Sequence, residues 1–252
     1  YAILLTLLPL RSLAQGERFA ILKGDCTPDL SDGTGNPHRA ARRLAAMNTD
    51  WDATKTYRQL VILMTFSDTE FEKSHTKEYY EKILGEEGYN GSKGPGCVVD
   101  YYRSQSNGLF NLQFDVYGPY QVSQKAQPYD NPNENTRNYG QQSLREAVQQ
   151  FIADHPDFDF SPYDWNGNGA VNQVVFINAG LSGNVSGDDN YGRIWPNTST
   201  FSTVTTPDGK TISNYSVSAE FFVADVPCGI GTICHEYTHC LGLPDIYPTV
   251  KN

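Results

Sequence analysis

Residues 60–66 have the sequence Leu-Val-Ile-Leu-Met-Thr-Phe, an unbroken apolar run closed by Ser67-Asp68. A run of this length, rich in branched side chains and followed by turn-forming residues, predicts a strand buried on both faces. Residues 171–179 form a second apolar run, and a last short strand is expected near Tyr215–Val223. Together these segments predict the centre of a sheet.

The segments between these strands predict helices and one further strand. Apolar residues recur at helical spacing in residues 76–84, 98–106 and 143–153, whereas residues 109–116 alternate as a half-buried strand does. Residues 181–214 are rich in Gly, Ser and Asn, and we expect a long loop that either borders a substrate cleft or is a solvated insertion. Because strands and helices alternate without a strict strand–helix–strand order, the sequence predicts an α+β fold with a mixed sheet.

The composition describes a folded, acidic protein. Of the 252 residues, 38% are hydrophobic and 19% are charged, which suits a large hydrophobic core and excludes a disordered polymer. Acidic residues outnumber basic ones by 29 to 19, so the formal net charge is −10. That balance argues against sequence-independent nucleic-acid binding, which needs a basic surface. No apolar run reaches the roughly 18 residues that a membrane-spanning helix requires.

Residues 235–245, His-Glu-Tyr-Thr-His-Cys-Leu-Gly-Leu-Pro-Asp, carry the chemistry that the sequence predicts. On a helix, His235 and His239 lie one turn apart on the same face, where both imidazoles can bind one zinc ion. Glu236 lies beside them, and the Leu-Gly pair that follows is suited to end the helix. The chain can then turn back so that Asp245 becomes the third ligand.

This arrangement predicts a hydrolytic zinc site. Zinc lowers the pKa of a water molecule toward about 7, Glu236 accepts its proton as a general base, and the hydroxide attacks a carbonyl group polarised by the metal. The alternative is a helix whose two histidines are solvated or packed in the core. The remaining histidines are scattered along the chain and are expected at the surface. They are His38, His75 and His155.

Several segments resemble one known family. IGTICHEYTHCLGLPDIY at residues 230–247 resembles the active-site helix of the immune inhibitor A family of secreted bacterial metalloproteases, which are metzincin-like. YRQLVILMTFSD at residues 57–68 is similar to the first core strand of that family. Residues 98–120 resemble its next helix and strand, and residues 158–180 resemble an acidic, asparagine-rich loop that enters a strand.

The resemblance implies a zincin-like or metzincin-like catalytic domain with a mixed sheet and an active-site helix. It implies zinc on His235, His239 and Asp245, with Glu236 as the catalytic base. Metzincins often have a third histidine where Asp245 stands, and a methionine turn is expected beneath the metal. The two methionines of this chain, Met47 and Met64, lie far upstream of the motif.

Residues 164–172 have the spacing of a calcium-binding loop. Oxygen-bearing side chains stand at loop positions 1, 3, 5 and 9, with a glycine at position 6 and a backbone carbonyl available at position 7. Position 12 is Val175 instead of Glu, so we expect a modest affinity for calcium. The alternative is that the Asn-Gly pairs form tight turns. The candidate calcium ligands are Asp164, Asn166, Asn168, Ala170 and Asn172.

The sequence near the two ends of the chain predicts how it is divided into segments. Residues 1–14 predict a signal peptide whose start is missing, because an apolar block precedes small residues at the −3 and −1 positions of a cleavage site. An ordinary buried helix is the alternative. Residues 15–57 are expected to be an N-terminal extension or a short pro-segment, and residues 58–252 an incomplete catalytic domain, truncated at its C-terminus.

The five cysteines are too few and too scattered for a disulfide scaffold. Cys234 and Cys240 are therefore expected to be buried free thiols.

The sequence therefore predicts a secreted zinc endopeptidase that acts on extracellular proteins or peptides. Two alternatives remain, a non-catalytic calcium-binding or adhesive module and a zinc hydrolase of a non-peptide amide. Glu236 counts against the first alternative, because a pure binding site does not need a base at that position.

Overall fold

The computed structural model describes residues 52–91, 96–127, 136–184 and 192–243, and of residues 136–138 the backbone alone. The predicted signal peptide and nearly all of the predicted N-terminal extension lie outside these ranges, as does Asp245. Within the described part of the chain, no helix is long and apolar enough to cross a membrane.

Three parallel strands form one side of the sheet. β1 (Thr56–Thr65) contains the apolar run described above, and its residues 59–65 are all buried. β2 (Asn111–Gln121) pairs with one side of β1 and β3 (Val174–Leu181) with the other, both in parallel. The predicted buried strand is thus confirmed, because β1 is covered at both edges and on both faces.

Three more strands extend the sheet beyond β3. β4 (Asn197–Thr205) pairs antiparallel with β5 (Thr211–Val223), which in turn pairs in parallel with β3. The two-residue strand β6 (Val226–Pro227) pairs antiparallel with β5. The strand order is β2-β1-β3-β5-β4, so the predicted mixed sheet is confirmed.

Helices cover both faces of this sheet. In the described residues, helix α3 packs on one face, whereas α1, α2 and α4 belong to the layer on the other face. The predicted positions of α1 and α2 are correct to within one residue, while α3 begins seven residues before its predicted start. The four helices are α1 (Lys77–Gly85), α2 (Val98–Gln105), α3 (Thr136–Asp154) and α4 (Ile230–Cys240).

Side chains alternate between these two layers along each strand. On β5, Tyr215 and Val217 belong to the core beneath α3. The alternation therefore directs Ser216 and Glu220 to the opposite face, which α1, α2 and α4 cover. Polar side chains of β5 thus lie beneath the layer that includes the helix with the histidine pair.

Two expectations about the later strands are wrong. β4 lies within residues 181–214, where a long loop was expected, and β5 has 13 residues instead of being short. The predicted strand near Tyr215–Val223 is confirmed as the second part of β5. β4 and the first residues of β5 carry many Thr, Ser and Asn residues, so they lack an apolar signal. They are nevertheless strands because threonine favours extended backbone and because pairing with β3 and β5 satisfies their backbone groups.

Candidate active site

Helix α4 is anchored in the protein by hydrogen bonds as well as by its buried inner face. The hydroxyl of Tyr237, which is fully buried, donates a hydrogen bond of 3.1 Å to Gln59 Oε1 of β1. The hydroxyl of Tyr102 on α2 lies 2.9 Å from the backbone oxygen of Cys234 and donates to it. The position of α4 along its axis is therefore fixed by partners on both the sheet and a neighbouring helix.

The two histidines of the motif face each other on α4. Their Nε2 atoms lie 3.2 Å apart, and their ring planes are inclined at 82°. Two nitrogen ligands at 2.0–2.1 Å from a tetrahedral zinc ion would lie about 3.3–3.4 Å from each other. The separation between His235 and His239 therefore fits a single zinc ion bound by both rings.

The second ring nitrogen of His239 determines which tautomer faces this site. Nδ1 lies 2.7 Å from the backbone oxygen of Leu243. Since a carbonyl oxygen only accepts hydrogen bonds, Nδ1 carries the proton. In the neutral ring the lone pair is then on Nε2, which is the nitrogen that faces His235 and the form that binds a metal.

The turn after α4 brings Leu243 into position for this hydrogen bond. Gly242 has a φ of +94°, a conformation that a residue with a Cβ rarely adopts. Its N–H donates to the carbonyl of His239, and the N–H of Leu243 donates to that of Thr238. The predicted helix stop is confirmed, and it orients a histidine of the motif as well as ending the helix.

Glu236 is buried beside the histidine pair. Only 7% of this residue is exposed, and its Oε1 atom lies 3.9 Å from Nε2 of His235. The hydroxyl of Thr198, near the start of β4, lies 2.5 Å from the backbone oxygen of Glu236 and 3.2 Å from its Oε2. A carboxylate in this position can exchange a proton with a molecule bound next to the two rings.

Cys240 contributes a neutral thiol to the wall behind this site. Burial raises the pKa of this thiol to about 12, against hydrogen bonds with Ser216 and Thr198 that act in the opposite direction. In the absence of a metal ion the group is therefore protonated at neutral pH. The described cysteines are all free and buried, which confirms the expectation for Cys234 and Cys240.

The predicted third ligand, Asp245, lies outside the described residues. Among the residues that the structure does describe, no group of three or more His, Cys, Asp or Glu side chains is arranged to bind a metal ion. The complete ligand set therefore stays a prediction, of which the structure brings together His235 and His239.

The predicted calcium loop has an internal cation beside its single carboxylate. Asp164 accepts hydrogen bonds from the N–H groups of Asn168 and Gly169, at 3.0 and 2.9 Å. Nζ of Lys210 lies 3.0 Å from Oδ2 of the same residue. Burial acts to raise the pKa of Asp164, but the bonds from Lys210 and the two N–H groups outweigh it and lower this pKa. A calcium ion at this carboxylate would compete with Lys210.

The other oxygen atoms of the loop take part in its turns. Oδ1 of Asn172 accepts from the N–H of Trp165 at 2.7 Å, and Oδ1 of Asn168 accepts from the N–H of Ala170 at 3.0 Å. Asn166 is exposed. These bonds agree with the tight-turn alternative, and calcium binding by the loop stays a prediction.

The expectation that His75 lies at the surface is wrong. Its side chain is 7% exposed, and its Nδ1 lies 2.6 Å from Oε1 of Glu220. Glu220 is buried on β5 and also accepts from the N–H groups of Glu72 and Gly180. The buried carboxylate of Glu220 needs hydrogen-bond donors, and His75 is buried because it contacts this carboxylate. His155 is half-buried, and His38 lies outside the described residues.

Thr198 was missing from the sequence candidates. It lies in the Thr/Ser-rich stretch that was expected to be a loop, and its contact with Glu236 joins residues 38 positions apart. No local pattern indicates such a contact, because it exists only once β4 lies beside α4.

Comparisons with known proteins agree with the motif. Residues 47–252 match the family described as immune inhibitor A peptidase M6, catalytic domain. The pre-pro-metalloprotease PrtV of Vibrio cholerae is 26% identical over 259 residues, which cover 86% of this chain and 27% of PrtV. Immune inhibitor A of Bacillus thuringiensis subsp. alesti is 30% identical over 210 residues, which cover 71% of this chain and 30% of the relative. The chain therefore corresponds to less than a third of the length of these relatives.

Proposed function

Because the chain belongs to the immune inhibitor A family of M6 peptidases, we propose that it is a secreted zinc endopeptidase with a zincin-like catalytic domain. The observation that carries the proposal is the pair His235 and His239, with Nε2 atoms 3.2 Å apart and the buried carboxylate of Glu236 next to them. The signal-peptide pattern of residues 1–14 supports secretion, and extracellular proteins are the proposed substrates.

Three residues are proposed to hold the metal, namely His235, His239 and Asp245. When bound there, zinc supplies a Lewis acid that polarises the scissile carbonyl and makes water acidic enough to lose a proton near neutral pH. The hydrogen bond from His239 Nδ1 to Leu243 keeps the ring in the ligating tautomer and fixes its orientation.

Glu236 is proposed to move the proton. Its carboxylate accepts a proton from the attacking water while the water oxygen bonds to the carbonyl carbon of the substrate. The same carboxyl group then donates this proton to the nitrogen of the leaving amine as the peptide bond breaks. Burial excludes most bulk water from Glu236, so the proton is transferred to the substrate instead of to solvent.

The substrate is proposed to bind as an extended peptide along β4. This strand ends the sheet in the described residues, and its Thr198 reaches the catalytic glutamate. A peptide that adds to such an edge forms main-chain hydrogen bonds that do not depend on its side chains. Binding in this way suits an endopeptidase that cuts unfolded segments of many proteins.

The proposal is tested with the full-length protein and its Glu236→Gln variant, for which bound zinc and cleavage of an unfolded protein are measured together. We expect one zinc ion in both proteins and a loss of about 10²- to 10⁴-fold in cleavage rate for the variant, the usual contribution of general acid–base catalysis. Glu81→Gln, at a half-exposed position on α1, is the matched control and should keep the parental rate.

Each other outcome contradicts a different part of the proposal. Parental cleavage by Glu236→Gln would refute the role of that carboxylate. Absence of zinc from both proteins would refute the metal site. If the protein binds zinc but cleaves only non-peptide amides, the result would support the alternative of a zinc hydrolase that acts on a non-peptide amide. The family match already favours a peptidase over a non-catalytic calcium-binding or adhesive module.

A further inference from the structure

The side chain of Thr198 makes two contacts with one residue of the active-site helix. Its hydroxyl lies 2.5 Å from the backbone oxygen of Glu236 and 3.2 Å from Oε2 of the same residue. Thr198 is completely buried, and Glu236 is nearly so. One hydroxyl therefore touches both the main chain and the carboxylate of the proposed catalytic base.

We propose that Thr198 is a positioning residue that holds the Glu236 carboxylate in the orientation required for proton transfer. This inference rests on the proposed function, because it assigns Thr198 a role only if Glu236 is the base. A glutamate side chain has three rotatable torsions, and a contact at each end of the residue restricts all of them. Such restriction matters because a misplacement of about 1 Å in a catalytic group can reduce the rate about 10²-fold.

Thr198 is itself held firmly, which a positioning residue requires. It is paired with Ser216 in the ladder between β4 and β5. As a β-branched residue it has few side-chain rotamers in a strand. The hydroxyl is therefore fixed by the sheet on one side and by the helix on the other.

The polarity of the hydroxyl suits both contacts. It has one proton to donate and two lone pairs. The carbonyl of Glu236 takes the shorter bond, and Oε2 lies close enough to interact with the same O–H group. A valine at this position would keep the shape of the side chain and remove both contacts. A serine would keep both contacts and remove only a methyl group.

The test compares kcat and KM for peptide cleavage by the full-length enzyme and four variants. Thr198→Val and Thr198→Ala lack the hydroxyl, so the test does not depend on the folding of a single variant. Thr198→Ser retains it. Thr56→Val, at an exposed position at the start of β1, is the matched control. Bound zinc and the melting temperature are measured for each protein.

We expect the two hydroxyl-free variants to bind one zinc ion and to lose about 10- to 100-fold in kcat, with KM within about twofold of the parent. Thr198→Ser should stay within about threefold of the parental kcat. A residue that only stabilises the fold would lower the melting temperature and the zinc content without this selective loss of kcat. Parental kcat in Thr198→Val, or equal losses in the Val and Ser variants, would overturn the inference.

A double-mutant cycle separates this inference from the proposed function. If Glu236 is the base and Thr198 acts through it, Thr198→Val should not lower the residual activity of Glu236→Gln any further. An equal additional loss in that background would overturn the inference while leaving Glu236 as the base. Full activity of Glu236→Gln itself would instead refute the proposed function.

Discussion

Replacing Lys210 by methionine would remove the ammonium group that contacts the buried carboxylate of Asp164. Methionine is unbranched and apolar, so it keeps most of the packing of the lysine stem and removes the charge. The side chain of Asp164 is 3% exposed and that of Lys210 is 18% exposed. The carboxylate would keep its two backbone N–H donors and lose its counter-ion.

The expected loss follows from these contacts. Removing one partner of a buried ion pair costs about 3–5 kcal/mol, and the loss of one hydrogen bond to a charged group costs about 1.5–3 kcal/mol. Because two donors remain and Lys210 is partly exposed, we expect a decrease of about 2–3 kcal/mol in the free energy of unfolding. In a domain of this size that decrease lowers the melting temperature by roughly 4–12 °C.

The pH dependence has a defined sign. The pKa of Asp164 is lower in the folded protein than its ordinary value, so the charged form stabilises the fold. This contribution is complete above the carboxyl pKa of the unfolded chain, about 4, and is lost as the pH falls through the lower folded pKa. The difference between parent and variant should therefore be constant from pH 7 to 5 and shrink below about pH 4.

Urea unfolding of both proteins at pH 7, 5 and 3.5 measures this difference. Lys77→Met is the control, because its ion pair with Glu81 is solvent-exposed and should contribute less than about 1 kcal/mol. Millimolar calcium should stabilise Lys210→Met more than the parent, since the ion no longer competes with an ammonium group. A Lys210→Met variant as stable as the control would refute the account of the loop.

Two further predictions concern the residues that hold α4 in place. Gly242→Ala should lower the free energy of unfolding by about 1 kcal/mol, because alanine is strained at a φ of +94°, and it should weaken zinc binding by displacing Leu243 from His239. Gly231→Ala is the control: it lies inside the helix with open space around it and should be neutral or stabilising, so equal effects of the two variants in urea unfolding would contradict the prediction. Tyr237→Phe should cost about 1 kcal/mol in the same assay, since Gln59 keeps the donor at Gln173, and an unchanged stability would contradict the anchoring role.

Much of the sheet could be predicted because the apolar patterns of β1, β2 and β3 are visible in a short window of sequence. The apolar run of β1 can be recognised without its partners, since its length, its branched residues and the turn residues after it are typical of a strand covered on both faces. β4 and the first residues of β5 could not be recognised in this way. Their polar residues form strands because neighbouring strands pair with them, and pairing partners are not visible in a local window of sequence.

In the candidate site, too, the local features could be predicted from the sequence, whereas the contacts between distant residues could not. The motif and the glycine stop at Gly242 lie within one helix and its end. The sequence alone therefore determined that His235 and His239 share a face, that Glu236 is next to them in the chain and that the helix stops there. Only the tertiary structure decided what surrounds them. The contacts of Thr198 with Glu236, Lys210 with Asp164 and His75 with Glu220 join residues 38, 46 and 145 positions apart. Such pairs arise because folding buries a carboxylate and the nearest donors must satisfy it, which no spacing along the chain specifies.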